Sequence, residues 1–165
     1  MPGRPPVLTV HAHGDEGPHF PFEDVLVTTD GSEAATAAVE DGVDLASNFG
    51  STLHGVSVID SRSWRFARRS GSIREHLAEQ AETAVETVDS AATDAGVDEV
   101  RAATPTGVPH RQILDYADEH GVDVIVMGTH GRAGLQRYLL GSVAGNVVRS
   151  STVPVMTVRQ MPDEG

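Results

Sequence analysis

Residues 122–131 read Val-Asp-Val-Ile-Val-Met-Gly-Thr-His-Gly, and this stretch decides how the rest of the chain is interpreted. The apolar run from Val122 to Met127 is typical of a strand that is buried on both faces of a parallel sheet. Glycine follows it directly, at Gly128 and again at Gly131. We therefore expect a central strand that ends in a loop of unusual backbone freedom.

Shorter apolar runs and segments of helical periodicity alternate on both sides of this strand. The predicted strands are 25–29, 53–59, 100–104, 122–127 and 153–158, and the predicted helices are 34–49, 73–95, 109–120 and 142–150. This order predicts an α/β fold, a three-layer α/β/α domain with a five-stranded parallel sheet in the order 3-2-1-4-5. The domain is expected over residues 23–160. Residues 1–22, which hold five of the nine prolines, are expected to be a tail that is either flexible or packed as an arm, and residues 161–165 are expected to be a short C-terminal tail.

Ligands of such sheets bind beyond the carboxyl ends of the strands, where the strand order reverses. Here that point lies between the first and fourth strands, which end at Asp30 and Gly128. Asp30 has two readings: a capping box with Glu33 at the next helix, or a contact to a ligand or its Mg²⁺.

After Gly128 and Gly131, nine residues lead to Gly141 and Ser142. Glycines let backbone amides approach a phosphate, and Ser142 is expected to cap the next helix. The first amides of that helix, at Val143 and Ala144, would then favour an anion. The alternative is a plain long loop whose glycines serve turns.

The sequence leaves the roles of two side chains of this loop undecided. Arg132 is able to add a charge-assisted contact to a phosphate. His130 either contacts the phosphate or is merely solvated.

The segments Val126–Arg132 and Leu139–Ala144, with the closing Pro154-Val155 and the opening Val25–Ser32, resemble the universal stress protein family. The resemblance runs from about Asp24 to Arg159. It implies the ATP-binding branch of that family, marked by Gly-x-x-Gly, nine residues and Gly-Ser/Thr, with ATP and Mg²⁺ as the bound groups.

The resemblance also implies which residues hold the nucleotide. Ribose and phosphates would be held by Gly128, Gly131, Gly141, Ser142 and Val143. Asp30 and Val56 would face the adenine, and Thr29 and Met127 complete the expected set. Thr29 stands where family members often have proline, and Asn146 stands at a commonly acidic position.

Composition excludes several classes of function. The chain has 24 acidic residues against 12 arginines, with no lysine and no cysteine, for a net charge of −12. Such a charge repels nucleic acid, and lysine-free acidity suggests a halophile. Without cysteine or an apolar run long enough for a membrane, we expect a cytoplasmic protein with no membrane partner.

The expected function is regulatory or stress-response nucleotide binding, with slow ATP hydrolysis or autophosphorylation at most. The chain lacks the lysine of a Walker loop or a protein kinase. The alternatives are an ATP-hydrolysing or phosphotransferring enzyme and a dimeric interaction module that binds no nucleotide.

A homodimer is expected through the 153–158 strand, because an uncovered apolar edge is a liability. The arginine-rich stretch Ser61–Arg74 has three possible roles: it pairs with surface carboxylates, covers the triphosphate or forms a patch that binds a partner.

Overall fold

The structure is a computed structural model and describes residues 7–11, 21–66, 71–130 and 140–159. Its strands are Val7–His11 (β1), Asp24–Thr28 (β2), Thr52–Val56 (β3), Ile59–Asp60 (β4), Val100–Ala103 (β5), Thr106–Gly107 (β6), Val124–Gly128 (β7) and Val155–Arg159 (β8). Its helices are Glu33–Phe49 (α1), Ser61–Phe66 (α2), Gly71–Asp94 (α3), Pro109–Glu119 (α4) and Ser142–Ser150 (α5).

The main sheet has the order β1-β8-β7-β2-β3-β5. The five parallel strands β8, β7, β2, β3 and β5 confirm the predicted class, and they follow one another as predicted. The full order differs in detail from the prediction because a sixth strand joins the sheet.

That sixth strand is β1, which pairs antiparallel with β8. Residues 7–11 lie inside the segment that the sequence predicts to be either a flexible tail or a packed arm, and the pairing shows that flexibility is the wrong alternative for these five residues. The premise of the dimer prediction is also wrong, since β8 is not at the edge of the sheet. Pattern reasoning failed here because prolines on both sides obscured a run of only five residues.

The predicted second strand, 53–59, is two strands. β3 ends at Val56, and β4 pairs with β6 in a separate two-stranded sheet. Both short strands follow strands of the main sheet after two residues, so this small sheet extends the carboxyl edge beyond β3 and β5.

The core has two halves, one on each face of the sheet. Val25, Val27 and Val126 pack against α1 and α3, whereas Leu26 and Ile125 pack with side chains of α4 and α5. The alternation follows from the two-residue period of a strand, and the burial of both faces explains why β2 is apolar over residues 25–27 and β7 over residues 124–127.

Helix α1 lies close to the sheet at Gly42, where a Cβ atom would overlap the Cγ2 methyl group of Val27. Gly42 sits inside the helix, where alanine would otherwise be favoured by about 1 kcal/mol. The close approach of helix to sheet therefore requires glycine.

We expect Gly42→Ala to lower the free energy of unfolding by about 1–3 kcal/mol, because the added methyl group forces α1 away from β2. Gly71→Ala is the matched control, since a Cβ atom there meets open space. Urea titrations of both variants check this, and equal stability for Gly42→Ala and the parent chain would contradict the packing described.

Candidate functional site

The end of β2 forms a tight turn that leads into α1. The Thr29 amide donates to the Val56 carbonyl oxygen (3.0 Å), and the Thr29 hydroxyl accepts from the Gly31 amide (3.1 Å). Gly31 has a φ of 78°, which suits glycine. The turn therefore fixes where the chain leaves the sheet beside β3.

Asp30 is half-buried and its Oδ1 accepts a hydrogen bond from the Ser32 amide (2.9 Å). Ser32, and not Asp30, is the N-cap of α1, with its side chain accepting from the Ala35 amide. The predicted capping box of Asp30 with Glu33 is therefore wrong. Asp30 instead shapes the turn that precedes the cap.

The end of β7 lies beside the end of β2, because the two strands pair up to Val27 and Val126. A Cβ atom on Gly128 would come within 3.1 Å of the Ala34 carbonyl oxygen in the first turn of α1. The next residues, Thr129 and His130, are half-buried, and the His130 Nδ1 lies 3.1 Å from the Thr129 hydroxyl.

Gly141, which follows the undescribed residues 131–139, lies next to the end of β7. The Gly141 amide donates to the Thr129 carbonyl oxygen at 2.7 Å. A Cβ atom on Gly141 would lie 3.1 Å from that same oxygen and 3.3 Å from the His130 Cα atom. This closure places the start of α5 directly next to the end of β7.

Helix α5 begins at Ser142 and has Gly141 as its N-cap, without a side-chain capping bond. The prediction that Ser142 caps this helix is therefore wrong. The first intrahelical bond of α5 runs from the Gly145 amide to the Gly141 carbonyl oxygen (2.8 Å). The amides of Ser142, Val143 and Ala144 precede that bond, as expected for the first turn of any helix.

Two expected nucleotide residues are core side chains. Val56 is fully buried and Met127 is 4% exposed, and both belong to the apolar half of the core beside α4 and α5. Their side chains therefore lie in the core beneath the carboxyl edge of the sheet and do not project from that edge. Gly131 and Arg132 lie outside the described residues.

The structure thus gathers Thr29, Asp30, Gly128, His130, Gly141, Ser142 and Val143 at one edge of the sheet. Backbone amides with the positive end of a helix dipole suit an anionic ligand. No group of three or more metal-binding side chains occurs in the ranges that the structure describes.

Sequence reasoning missed Thr129. Its carbonyl oxygen closes the loop, its hydroxyl contacts His130, and its amide donates to the Val158 carbonyl oxygen (3.1 Å). The signal available in the sequence was the position of Thr129 between Gly128 and His130. Hydrophobic periodicity gives no information about contacts that backbone atoms make.

The arginine-rich stretch is described only in part. Arg62 pairs with Asp60 through Nη2 and Oδ2 at 2.8 Å, and this hydrogen bond lowers the pKa of the Asp60 carboxyl group below its ordinary value. For Arg62, pairing with a surface carboxylate is therefore confirmed. Residues 67–70, with Arg68 and Arg69, lie outside the described residues.

A cleft of about 290 Å³ opens elsewhere, between the end of α4 and the residues that follow α5. It is lined by Asp115, Asp118, Gly121 and residues 150–153, among others. None of the expected nucleotide residues that the structure describes lines it. It is on the other side of the molecule from the turn at Asp30, near the amino ends of the strands.

A second polar cluster lies at that amino edge, around the buried His54. Its Nε2 is 2.8 Å from Asp24 Oδ1, and its Nδ1 is 2.8 Å from the Tyr116 hydroxyl. A carboxylate only accepts, so we assign the proton to Nε2, and Nδ1 accepts from Tyr116. His120 stacks on the Tyr116 ring at 3.8 Å. Each polar atom of the imidazole is satisfied, which is what a buried histidine in a core requires.

We expect Tyr116→Phe to lower stability at neutral pH by about 1–3 kcal/mol, because His54 Nδ1 loses its donor. Burial raises the pKa of Tyr116 above its ordinary value, and the charges of Arg101, which lowers it, and Asp24, which raises it, have smaller effects. The unfolded tyrosine therefore loses its proton first, and stability falls as pH rises above about 10.

The chain has no lysine, so few other groups titrate in that range. Melting temperatures measured between about pH 9 and about pH 11.5 should fall less steeply in Tyr116→Phe than in the parent chain. Parallel slopes for the two proteins would contradict the assignment.

Comparison with known proteins places these observations in one family. The sequence profile of the Universal stress protein family matches residues 21–159. Universal stress protein MJ0531 of Methanocaldococcus jannaschii is 32% identical over 146 residues, with 87% of this chain and 85% of that protein covered. A putative universal stress protein of Staphylococcus haemolyticus, SH1215, is 31% identical over 154 residues, covering 87% and 89%.

Solved structures agree with the fold. The structure of MJ0577, from the same archaeon, has 29% identity and a TM-score of 0.70, covering 86% of this chain and 98% of that one. A universal stress protein in complex with cAMP has 24% identity and a TM-score of 0.63, covering 85% and 98%. No described helix is both long and apolar enough to cross a membrane. With its matching profile, relatives and architecture, this chain belongs to the universal stress protein family.

Proposed function

We propose that this chain binds ATP, as its magnesium complex, at the carboxyl edge between β2 and β7. In this proposal it is a regulatory or stress-response binding protein that works in the cytoplasm. The observation that carries the proposal is the 2.7 Å hydrogen bond from the Gly141 amide to the Thr129 carbonyl oxygen. It brings the start of α5 to the place where a parallel sheet of this order binds ligands.

The phosphates would lie against the amides of Ser142, Val143 and Ala144. These amides carry the partial positive charge of the helix terminus, and a polyphosphate is the ligand that such a terminus favours. The Ser142 side chain is exposed and takes no part in capping. Its hydroxyl group is therefore available as a further donor.

The adenosine would extend toward β2 and β3. Thr29 is tied to Val56 through its amide, so this part of the edge is fixed before a ligand arrives. Asp30 is half-buried at the end of β2, where a carboxylate suits an adenine amino group or a cation brought by the phosphates. Gly131, as the family resemblance implies, and Arg132, through a charge-assisted contact, would also bind the phosphates.

Slow turnover at most is expected from this arrangement. Phosphoryl transfer needs a residue that orients the nucleophile. The carboxylate at the end of β2, Asp30, already accepts the Ser32 amide and shapes its own turn. Family membership and the cAMP complex of one member support nucleotide binding, and they do not require an enzyme.

We expect Gly141→Val to weaken Mg-ATP binding at least about tenfold, equivalent to about 1.4 kcal/mol. The side chain would push against Thr129 and His130 and move the start of α5. Gly71→Val is the matched control, because nothing surrounds a Cβ atom at that glycine. Isothermal titration calorimetry with ATP, ADP and AMP should give affinities that fall with each phosphate lost.

Three outcomes would contradict the proposal. Equal affinities for Gly141→Val and the parent would place the nucleotide elsewhere. No heat with Mg-ATP, and no nucleotide found by mass in the purified protein, would favour an interaction module. Turnover well above background, abolished by Asp30→Ala, would favour an ATP-hydrolysing enzyme.

We also propose that this protein is adapted to high salt, and its acidic surface supports that proposal. Helix α3 exposes Glu75, Glu79, Glu82, Glu86, Asp89 and Asp94. Like charges three or four residues apart on a helix destabilise it. Acidic side chains are also crowded on α1. Burial raises the pKa of Asp41 above its ordinary value there, and the charges of Asp44 and Glu40 raise it further.

We expect the melting temperature to rise as KCl increases from about 0.1 M to about 1 M, because the Debye length shortens from about 10 Å to about 3 Å. The variant Glu79→Gln/Glu82→Gln should be more stable than the parent in low salt and gain less from KCl. A melting temperature that is insensitive to KCl would argue against adaptation to salt.

A further inference from the structure

The two strands at one side of the sheet have nearly the same sequence. β1 reads Val-Leu-Thr-Val-His over 7–11, and β8 reads Val-Met-Thr-Val-Arg over 155–159. Three of the five positions are identical. The other two exchange leucine for methionine and histidine for arginine, so the apolar or basic type is kept.

The pairing register of β1 and β8 gives their sequence similarity a structural meaning. β1 pairs antiparallel with β8 so that Thr9 lies opposite Thr157 at the centre. Val7 lies opposite Arg159, and His11 lies opposite Val155. The Thr157 hydroxyl also donates to the Thr9 carbonyl oxygen at 3.4 Å.

A strand that pairs with its own copy about a two-fold axis must meet itself at the centre. If β8 of a second copy were centred on Thr157, its valine 155 position would lie opposite Arg159, and its arginine 159 position opposite Val155. β1 presents valine and histidine at those same places, and threonine opposite Thr157. Position by position, β1 thus imitates the partner that β8 would meet in a second copy.

The side of β8 that faces away from β7 requires a pairing strand. Val155, Thr157 and Val158 are buried, and β7 occupies the other side of the strand. Without β1, the free side would present unpaired backbone groups on an apolar strand, which is a template for another chain. Two candidates with the same sequence pattern therefore compete for one edge.

We propose that β1 is an intramolecular copy of β8, which occupies the place of a second subunit's β8 and so keeps the chain monomeric until β1 is released. Twelve residues separate β1 from β2, so β1 is tethered close to its site. Short tethers give effective concentrations in the mM range. A second copy at micromolar concentration competes about a thousandfold less well for the edge.

The test is the mass in solution of the full chain and of a variant that lacks residues 1–20, measured by sedimentation equilibrium at micromolar concentration. We expect the full chain to sediment as a monomer of 17.4 kDa and the shortened chain as a dimer. A dimeric full chain, or a shortened chain that remains folded and monomeric, overturns the proposal.

A point variant covers the case in which the shortened chain does not fold. Adjacent amides of a strand face opposite sides, so Leu8→Pro/Thr9→Pro removes a donor from the β1–β8 ladder whichever of the two makes it. This full-length variant should dimerise, whereas the control Leu8→Val/Thr9→Val should remain monomeric. If both behave alike, β1 does not control the edge.

Competition in trans tests the imitation itself. A synthetic peptide of residues 5–13, in mM excess, should convert the dimer of the shortened chain or of the proline variant into monomers. The same peptide with proline at both substituted positions should leave the dimer intact. A dimer that resists the first peptide uses another surface, and the proposal is then wrong.

Discussion

The hydrogen bond from the Gly141 amide to the Thr129 carbonyl oxygen, 2.7 Å long, is the contact on which the candidate site depends. Without it, the residues after His130 would enter α5 from any direction. With it, the first turn of α5 lies beside the end of β7. A side chain at Gly141 would meet the same oxygen at 3.1 Å, so this closure favours glycine even before a ligand is considered. Ligand binding and loop closure therefore place the same demand on one residue.

The two ends of the sheet serve different purposes. At the carboxyl end, the structure leaves backbone amides of α5 facing outward and binds the turn at Thr29 to β3. At the amino end, polar groups satisfy one another: His54 bridges Asp24 and Tyr116, and Asp123 accepts from the Asp24 amide. Groups that are fully paired with each other have little to offer a ligand. This contrast favours the carboxyl end as the functional one.

Much of this could be predicted from the sequence, because the decisive signals were local. The apolar run at β7 and the glycines on either side of the loop predicted the central strands and the place of the site. The N-cap of α5 was missed because serine is the commoner cap, and only the contact with Thr129 shows that Gly141 takes that position. β1 was missed because a five-residue strand gains its stability from pairing with β8, which no local pattern reveals. The small sheet of β4 and β6 depends on distant pairing in the same way.

The most direct test of the account is to follow the backbone amides of Ser142, Val143 and Ala144 by ¹⁵N NMR during a titration with Mg-ATP. The account predicts that these three resonances move together and saturate with the calorimetric affinity. The amides of His110 and Arg111, in the first turn of α4, serve as the reference helix terminus and should not follow them. If ATP binds while the three α5 amides keep their positions, the helix terminus does not hold the phosphates and the central claim is wrong.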